Sequence, residues 1–176
     1  MNKKSELFNV FLNEEELNCF ETKTLNDEEH TVLYRSYVQT DIGNMPLFII
    51  LDDSIYSVMR VVVGANVVND TNRQAIHAFM NHANSRYKSF KYYIEEGENT
   101  VYLDCIYMSG ESNFEPRLLY VLMSQIVKYL PDVVPELKTI FGIDMLPNPY
   151  AAYEHTHTDT HDHTRNNDHD NDNSDR

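Results

Sequence analysis

The residues whose type and spacing most suggest chemistry lie near the C-terminal end, where His155, His157, His161, His163 and His169 stand among Asp159, Asp162, Asp168 and Asp170. Imidazole and carboxylate together suit Zn, Ni or Cu, and histidines two apart can bring two ring nitrogens to one ion. His155, His157, His161 and His163 are the candidate ligands. The signal is compositional and contains no folded cage, so a solvated segment that binds nothing is the competing reading. Apart from weak Zn or Ni binding there, no cofactor is expected.

Carboxylates cluster at Asp52-Asp53, Glu95-Glu96 and Glu14-Glu15-Glu16, the residue type that general acid-base chemistry recruits. Each cluster falls at a turn or helix end, where acidic residues are common for structural reasons. Asp104 differs, because it sits inside a strand on one face with Tyr102, Ile106 and Met108. A half-buried aspartate needs a donor, and Arg35, Arg60 or Lys91 on another strand can supply one. His77 and His82 are five residues apart and do not share a helical face, and His30 stands alone in a turn. No Ser/His/Asp or Cys/His arrangement can be assembled locally, and with 5 glycines there is no phosphate-cradling loop. The pattern points away from an enzyme.

Elements must hold these residues, and hydrophobic periodicity supplies them in a definite order. Ser5 to Leu17 reads as a short amphipathic helix and Cys19 to Leu25 as a first strand. Thr31–Thr40, Met45–Leu51 and Ile55–Val63 are extended runs joined by short turns, which makes an antiparallel meander. Ile76, Phe79, Met80 and Ala83 mark a helix from Thr71 to about Asn84, with Asn69, Asp70 and Thr71 offering N-cap oxygens. Phe90–Ile94 and Val101–Met108 add two strands around a Glu-Gly-Glu-Asn loop. A long amphipathic helix opens after Phe114, is expected to stop at Pro131, and is followed by one more short helix ending at Gly142. The expectation is an α+β domain over residues 1–147, with an antiparallel sheet of five or six strands and helices on one face, in the order α-β-β-β-α-β-β-α. Residues 148–176 read as a disordered His/Asp/Asn-rich tail, since no apolar residue follows Tyr153.

The helix ending Phe79-Met80-Asn81-His82-Ala83-Asn84, the Phe114-Glu115-Pro116 lead-in to the long helix, and the element order from Leu17 to Gly142 resemble the YbjN-like family of bacterial proteins, whose fold is similar to that of type III secretion chaperones. The resemblance implies a curved sheet, a tendency to form homodimers and a chaperone-like or regulatory role in the cytoplasm. It carries no catalytic residues.

Composition narrows the partners. The formal charge of -14, from 14 basic and 28 acidic side chains, argues against nucleic acid, whose binding depends on neutralising phosphates. The longest apolar run, Leu47 to Leu51, is too short for a bilayer span. No secretory leader is expected either, because Met1-Asn2-Lys3-Lys4 leads into Ser5-Glu6 and a stretch broken by Asn9 and Asn13. Cys19 and Cys105 read as reduced core residues. The 12 tyrosines are the remaining signal: those in strands fall on both faces and suit either cross-strand pairing or protein contact. The expected function is therefore a protein-binding module that meets an unidentified protein or peptide. Tyr56, Tyr92, Tyr93, Tyr102, Leu118 and Val121 are its expected contacts, and metal handling by the histidine tail is the alternative.

Overall fold

The computed structural model describes residues 2–146. Helix α1 (Lys3–Glu14) is followed by strands β1 (Glu21–Thr24), β2 (Val32–Thr40), β3 (Gly43–Leu51) and β4 (Tyr56–Gly64), helix α2 (Arg73–Arg86), strands β5 (Phe90–Glu95) and β6 (Thr100–Met108), a single 3-10 turn, and helix α3 (Pro116–Phe141). The six strands form one open, curved antiparallel sheet in the order β1-β2-β3-β4-β6-β5. β1 lies within the first strand expected at Cys19–Leu25 and is the sixth strand that the order α-β-β-β-α-β-β-α leaves out.

Strand alternation separates the sheet into two faces. Tyr34, Ile49, Met59, Cys105 and Phe90 lie in one registered row, and Leu47, Val61, Leu103 and Tyr92 in the next. All of them are buried. The three helices cover this inner face: Phe8 of α1 meets Tyr34 edge-on, Phe79 of α2 meets Tyr92, and Tyr129 of α3 packs on Phe90. Gly64 allows the end of α3 to come close, since a Cβ there would lie 2.9 Å from the Phe141 ring and 2.7 Å from Val67.

α1 is fastened by polar contacts that periodicity does not reveal. Asn2 caps the helix by accepting from the Ser5 amide, and its own amide donates to the carbonyls of His30 and Leu51 at 2.9 and 2.8 Å. The fully buried Lys4 ammonium donates to the carbonyls of Ser54 and Tyr56 and to Ser57 Oγ, at 2.8, 2.7 and 3.2 Å. Burial pulls its pKa below the ordinary lysine value, and Asp52, 3.8 Å away, opposes that shift.

Three expectations need correction. The long helix does not stop at Pro131 but runs through Pro131 and Pro135 to Phe141. Both prolines are exposed, so the carbonyls of Val127 and Pro131 that lose an amide partner lie on the solvent side. The buried stripe Leu119, Met123, Ile126, Leu130, Val134, Leu137 and Phe141 meanwhile stays in phase against the sheet. Second, α2 continues past Asn84 to Arg86, because the Asn84 side chain has another task. It accepts from the Tyr92 amide at 2.8 Å and donates to the Tyr92 carbonyl at 3.1 Å, closing the outer edge of β5. Third, Cys19 is exposed outside β1, whereas Cys105 is buried; both are free thiols.

Candidate protein-binding face

The second face of the sheet carries no helix, and strand parity decides what it shows. Leu33 of β2 pairs with Ile50 of β3, Ile50 with Val58 of β4, and Val58 with Ile106 of β6, so one apolar row crosses four strands. The next pair toward the β4 start is Tyr56 with Met108. A half-solvated antiparallel sheet ordinarily alternates toward polar residues on its wet face. Here Ile106 is 47% exposed, Met108 60% and Tyr56 48%, with Ile55 exposed beside them.

Beyond that row, toward the opposite end of the strands, the face turns polar and aromatic. Arg60 of β4 and Asp104 of β6 are register partners and form a two-pronged ion pair, with N–O distances of 2.9 and 2.8 Å. Of the three candidate donors for Asp104, register sets both Arg60 and Lys91 opposite it, and the hydrogen bonds select Arg60. The guanidinium lies 5.3 Å from the Tyr102 ring centre and 5.8 Å from that of Tyr93, and the two rings stack at 5.5 Å. The Asp104 hydrogen bonds raise the Arg60 pKa above its already high value, so the guanidinium stays charged. Tyr102 is pushed up to about 12 by burial and by its 2.8 Å hydrogen bond to Glu98, which keeps it a neutral donor. Lys91 turns back to the carbonyls of Asn84 and Tyr87, at 2.6 and 2.5 Å. The assembly is an anchored polar patch beside an apolar strip, suited to holding a surface of mixed character.

Of the expected contact residues, Tyr56, Tyr93 and Tyr102 lie on this face. Tyr92 does not. It is 3% exposed on the inner face, against Phe79 and Phe90, where burial raises its pKa strongly and keeps it neutral. Leu118 and Val121 are exposed on the solvent side of α3, across the domain from the open face, and form a separate surface. His155, His157, His161 and His163 lie outside the described residues. Leu33, Phe48, Ile50, Val58, Ile106 and Met108 were not among the contacts expected from the sequence, although Ile106 and Met108 were placed on the face of Asp104. Their signal is the near-continuous apolar character of Leu47–Leu51 and Val61–Val63, which exceeds what one buried face needs.

Each carboxylate cluster has at least one member in a structural contact. Asp52 accepts from the Ser54 amide and hydroxyl, Asp53 pairs with His30 at 2.6 Å, and Glu96 and Glu15 pair with Arg73 and Arg117. Among the described residues, no group of three or more His, Cys, Asp or Glu side chains is placed to hold a metal ion, and no helix is long and apolar enough to cross a membrane. A shallow hollow of about 400 Å³ lies between β5 and α3, lined by Tyr87, Phe90, Gln125, Lys128, Tyr129 and Asp132. Its rings are already packed on one another, with centres 4.5 to 4.9 Å apart, so its chemistry is stacking. Comparison with protein-family models, with curated proteins and with solved structures gives no match.

Proposed function

We propose that this chain is a non-enzymatic binding module that engages a polypeptide through the open face of its sheet, in the chaperone-like or regulatory role that the YbjN-like resemblance implies. The supporting observation is the row Leu33, Ile50, Val58 and Ile106 on the face without helices, continued by Tyr56 and Met108. Apolar area left in water costs about 25 cal/mol per Å² relative to burial, and a bound apolar surface removes that cost. The Arg60–Asp104 pair and its two tyrosines supply orientation, as fixed polar groups do beside an apolar anchor. The homodimer implied by the same resemblance uses the separate stripe of Leu118 and Val121 on α3. Cytoplasm is the proposed compartment, supported by Cys19 and Cys105 standing as free thiols.

The test is co-purification from the native organism with three chains: wild type, Ile106→Asp with Met108→Asp, and Leu118→Asp with Val121→Asp. All four positions are exposed, so each variant is expected to keep its circular dichroism spectrum. A stoichiometric partner retained by wild type and by the helix variant, but lost from the sheet variant, is the expected outcome. Loss with the helix variant alone, or a wild-type chain that retains nothing, overturns the reading.

A further inference from the structure

β1 is an outer strand of the sheet, bonded only to β2, and its four residues are all exposed. Hydrogen-bond alternation along an antiparallel pair decides where its backbone points. The Leu25 amide donates to the Thr31 carbonyl at 2.9 Å, and continuing the register makes Lys23 with Leu33 and Glu21 with Arg35 the bonded pairs. The N–H and C=O groups of Thr22 and Thr24 are therefore directed away from β2. The same alternation holds at the other edge, where it directs the backbone groups of Tyr92 outward and Asn84 covers them. Among the described residues, no side chain covers the outer groups of β1 in this way.

Charge selects what pairs there. Strand parity places Glu21 and Lys23 on the open face, opposite Arg35 and Leu33. An added strand must set its own outward groups against those of Thr22 and Thr24, which leaves a second copy running antiparallel few registers. With Thr22 opposite Thr22 of the copy, Glu21 faces the copy's Lys23 and Lys23 faces its Glu21. Sliding by one allowed step sets Glu21 against Glu21 or Lys23 against Lys23, and like charges directly opposite are unfavourable. The charges that deter other pairings thus admit one. Arg35 already reaches Glu21 at 3.8 Å, so the row across the junction alternates in sign from Arg35 to Glu21 to Lys23 of the copy.

The inner side of the edge is self-complementary as well. Between α1 and β1 lies a hollow of about 390 Å³ whose polar lining is Asn9, Asn13, Asn18 and Thr22. A carboxamide both donates and accepts, so such a lining matches its own image across a two-fold axis. α1 packs on Tyr34 of β2. In the paired arrangement β2 of one copy stands three strand spacings, about 14 Å, from β2 of the other, which leaves room for two helices of about 10 Å diameter.

We infer that β1 is an isologous contact: two copies join edge to edge about a two-fold axis at Thr22, and their open faces merge into one surface. The ladder is short beside the ~1,200–2,000 Å² of a stable interface, so the contact is reversible and follows concentration. It makes no use of Leu118 and Val121 on α3, and it stands whether or not the open face holds a partner.

The test is sedimentation velocity of the full chain to millimolar concentration at physiological salt, in a Leu118→Asp, Val121→Asp background that removes the α3 stripe. The weight-average mass is expected to rise with concentration toward twice that of one chain. Glu21→Lys alone and Lys23→Glu alone are each expected to stay monomeric, and an equimolar mixture of the two to associate, because acid again faces base at both positions. Thr22→Pro keeps the charges and the β1–β2 ladder, removes an outward N–H, and is expected to abolish association. The substituted positions are all exposed, so the circular dichroism spectrum is expected to be unchanged. A background chain that stays monomeric throughout, a mixture that associates no better than its components, or association that survives Thr22→Pro overturns the inference.

Discussion

Cys105 faces the core between Met59 and Phe90, and its thiol shows how burial at one residue makes stability depend on pH. Burial, with a smaller contribution from Asp104, pushes its pKa up to about 11, and burial pushes Tyr34 up to about 12. Both groups ionise earlier in the unfolded chain, so the stability they contribute is complete below about pH 9 and is lost as pH rises through those folded values. The urea midpoint is expected to be flat from pH 7 to 9 and to fall above it, with the onset moved upward in a Cys105→Val chain. A wild-type midpoint unchanged to pH 11 would remove this account. At this scale the sequence was partly legible. Asp104 could be assigned a cationic partner from strand parity alone, but the face of Tyr92 was misplaced although a signal existed: Phe90, Tyr92 and Ile94 make the apolar side of β5, and Lys91, Tyr93 and Glu95 the polar one. Lys4 gave no signal, because its acceptors lie 50 to 53 residues away in sequence.

At the scale of elements, the two edges of the sheet are guarded differently. β1 is short and fully exposed, with Glu21 and Lys23 as charged deterrents. β5 is longer and partly apolar, and the Asn84 amide occupies the backbone groups of Tyr92 that a foreign strand would otherwise use. Replacing Asn84 by alanine removes two hydrogen bonds and uncovers that edge. The expected cost is about 1–3 kcal/mol in chemical denaturation, accompanied by concentration-dependent association visible in light scattering; a chain that loses stability but stays monomeric would refute the guarding role. In α3, Pro131 breaks a local rule, and the buried stripe on either side overrides it. Pro131→Ala is expected to stabilise the domain by up to about 3 kcal/mol, read as a higher urea midpoint with an unchanged slope, and no gain would mean that the packing of α3 requires the proline. Helix and strand existence was legible because the periodic patterns are strong. The ends of α2 and α3 were not, since Asn84 and Pro131 follow tertiary contacts in preference to their local propensities.

The whole molecule carries a formal charge of -14, which opposes compaction by self-repulsion. Raising NaCl from about 0.01 to 0.15 M shortens the Debye length from about 30 to 8 Å, so the melting temperature is expected to rise with salt, equally for chloride and acetate. A melting temperature that falls would mean that attractive pairs such as Arg60–Asp104 outweigh the global repulsion. At this scale the antiparallel sheet with helices on one face was legible from the order of patterns. The candidate site was legible only in part, because the apolar row exists only once four strands lie in register. The strand order has a further consequence, for assembly of the chain in time. β6 is inserted between β4 and β5, yet β5 precedes it in sequence and so leaves a ribosome first. For that interval β4 has an open edge, β5 has no neighbour, and the two strands are destined to stand one strand-width apart. α2 precedes β5 in sequence and holds its outer edge through Asn84, which leaves the edge facing β4 free to receive β6.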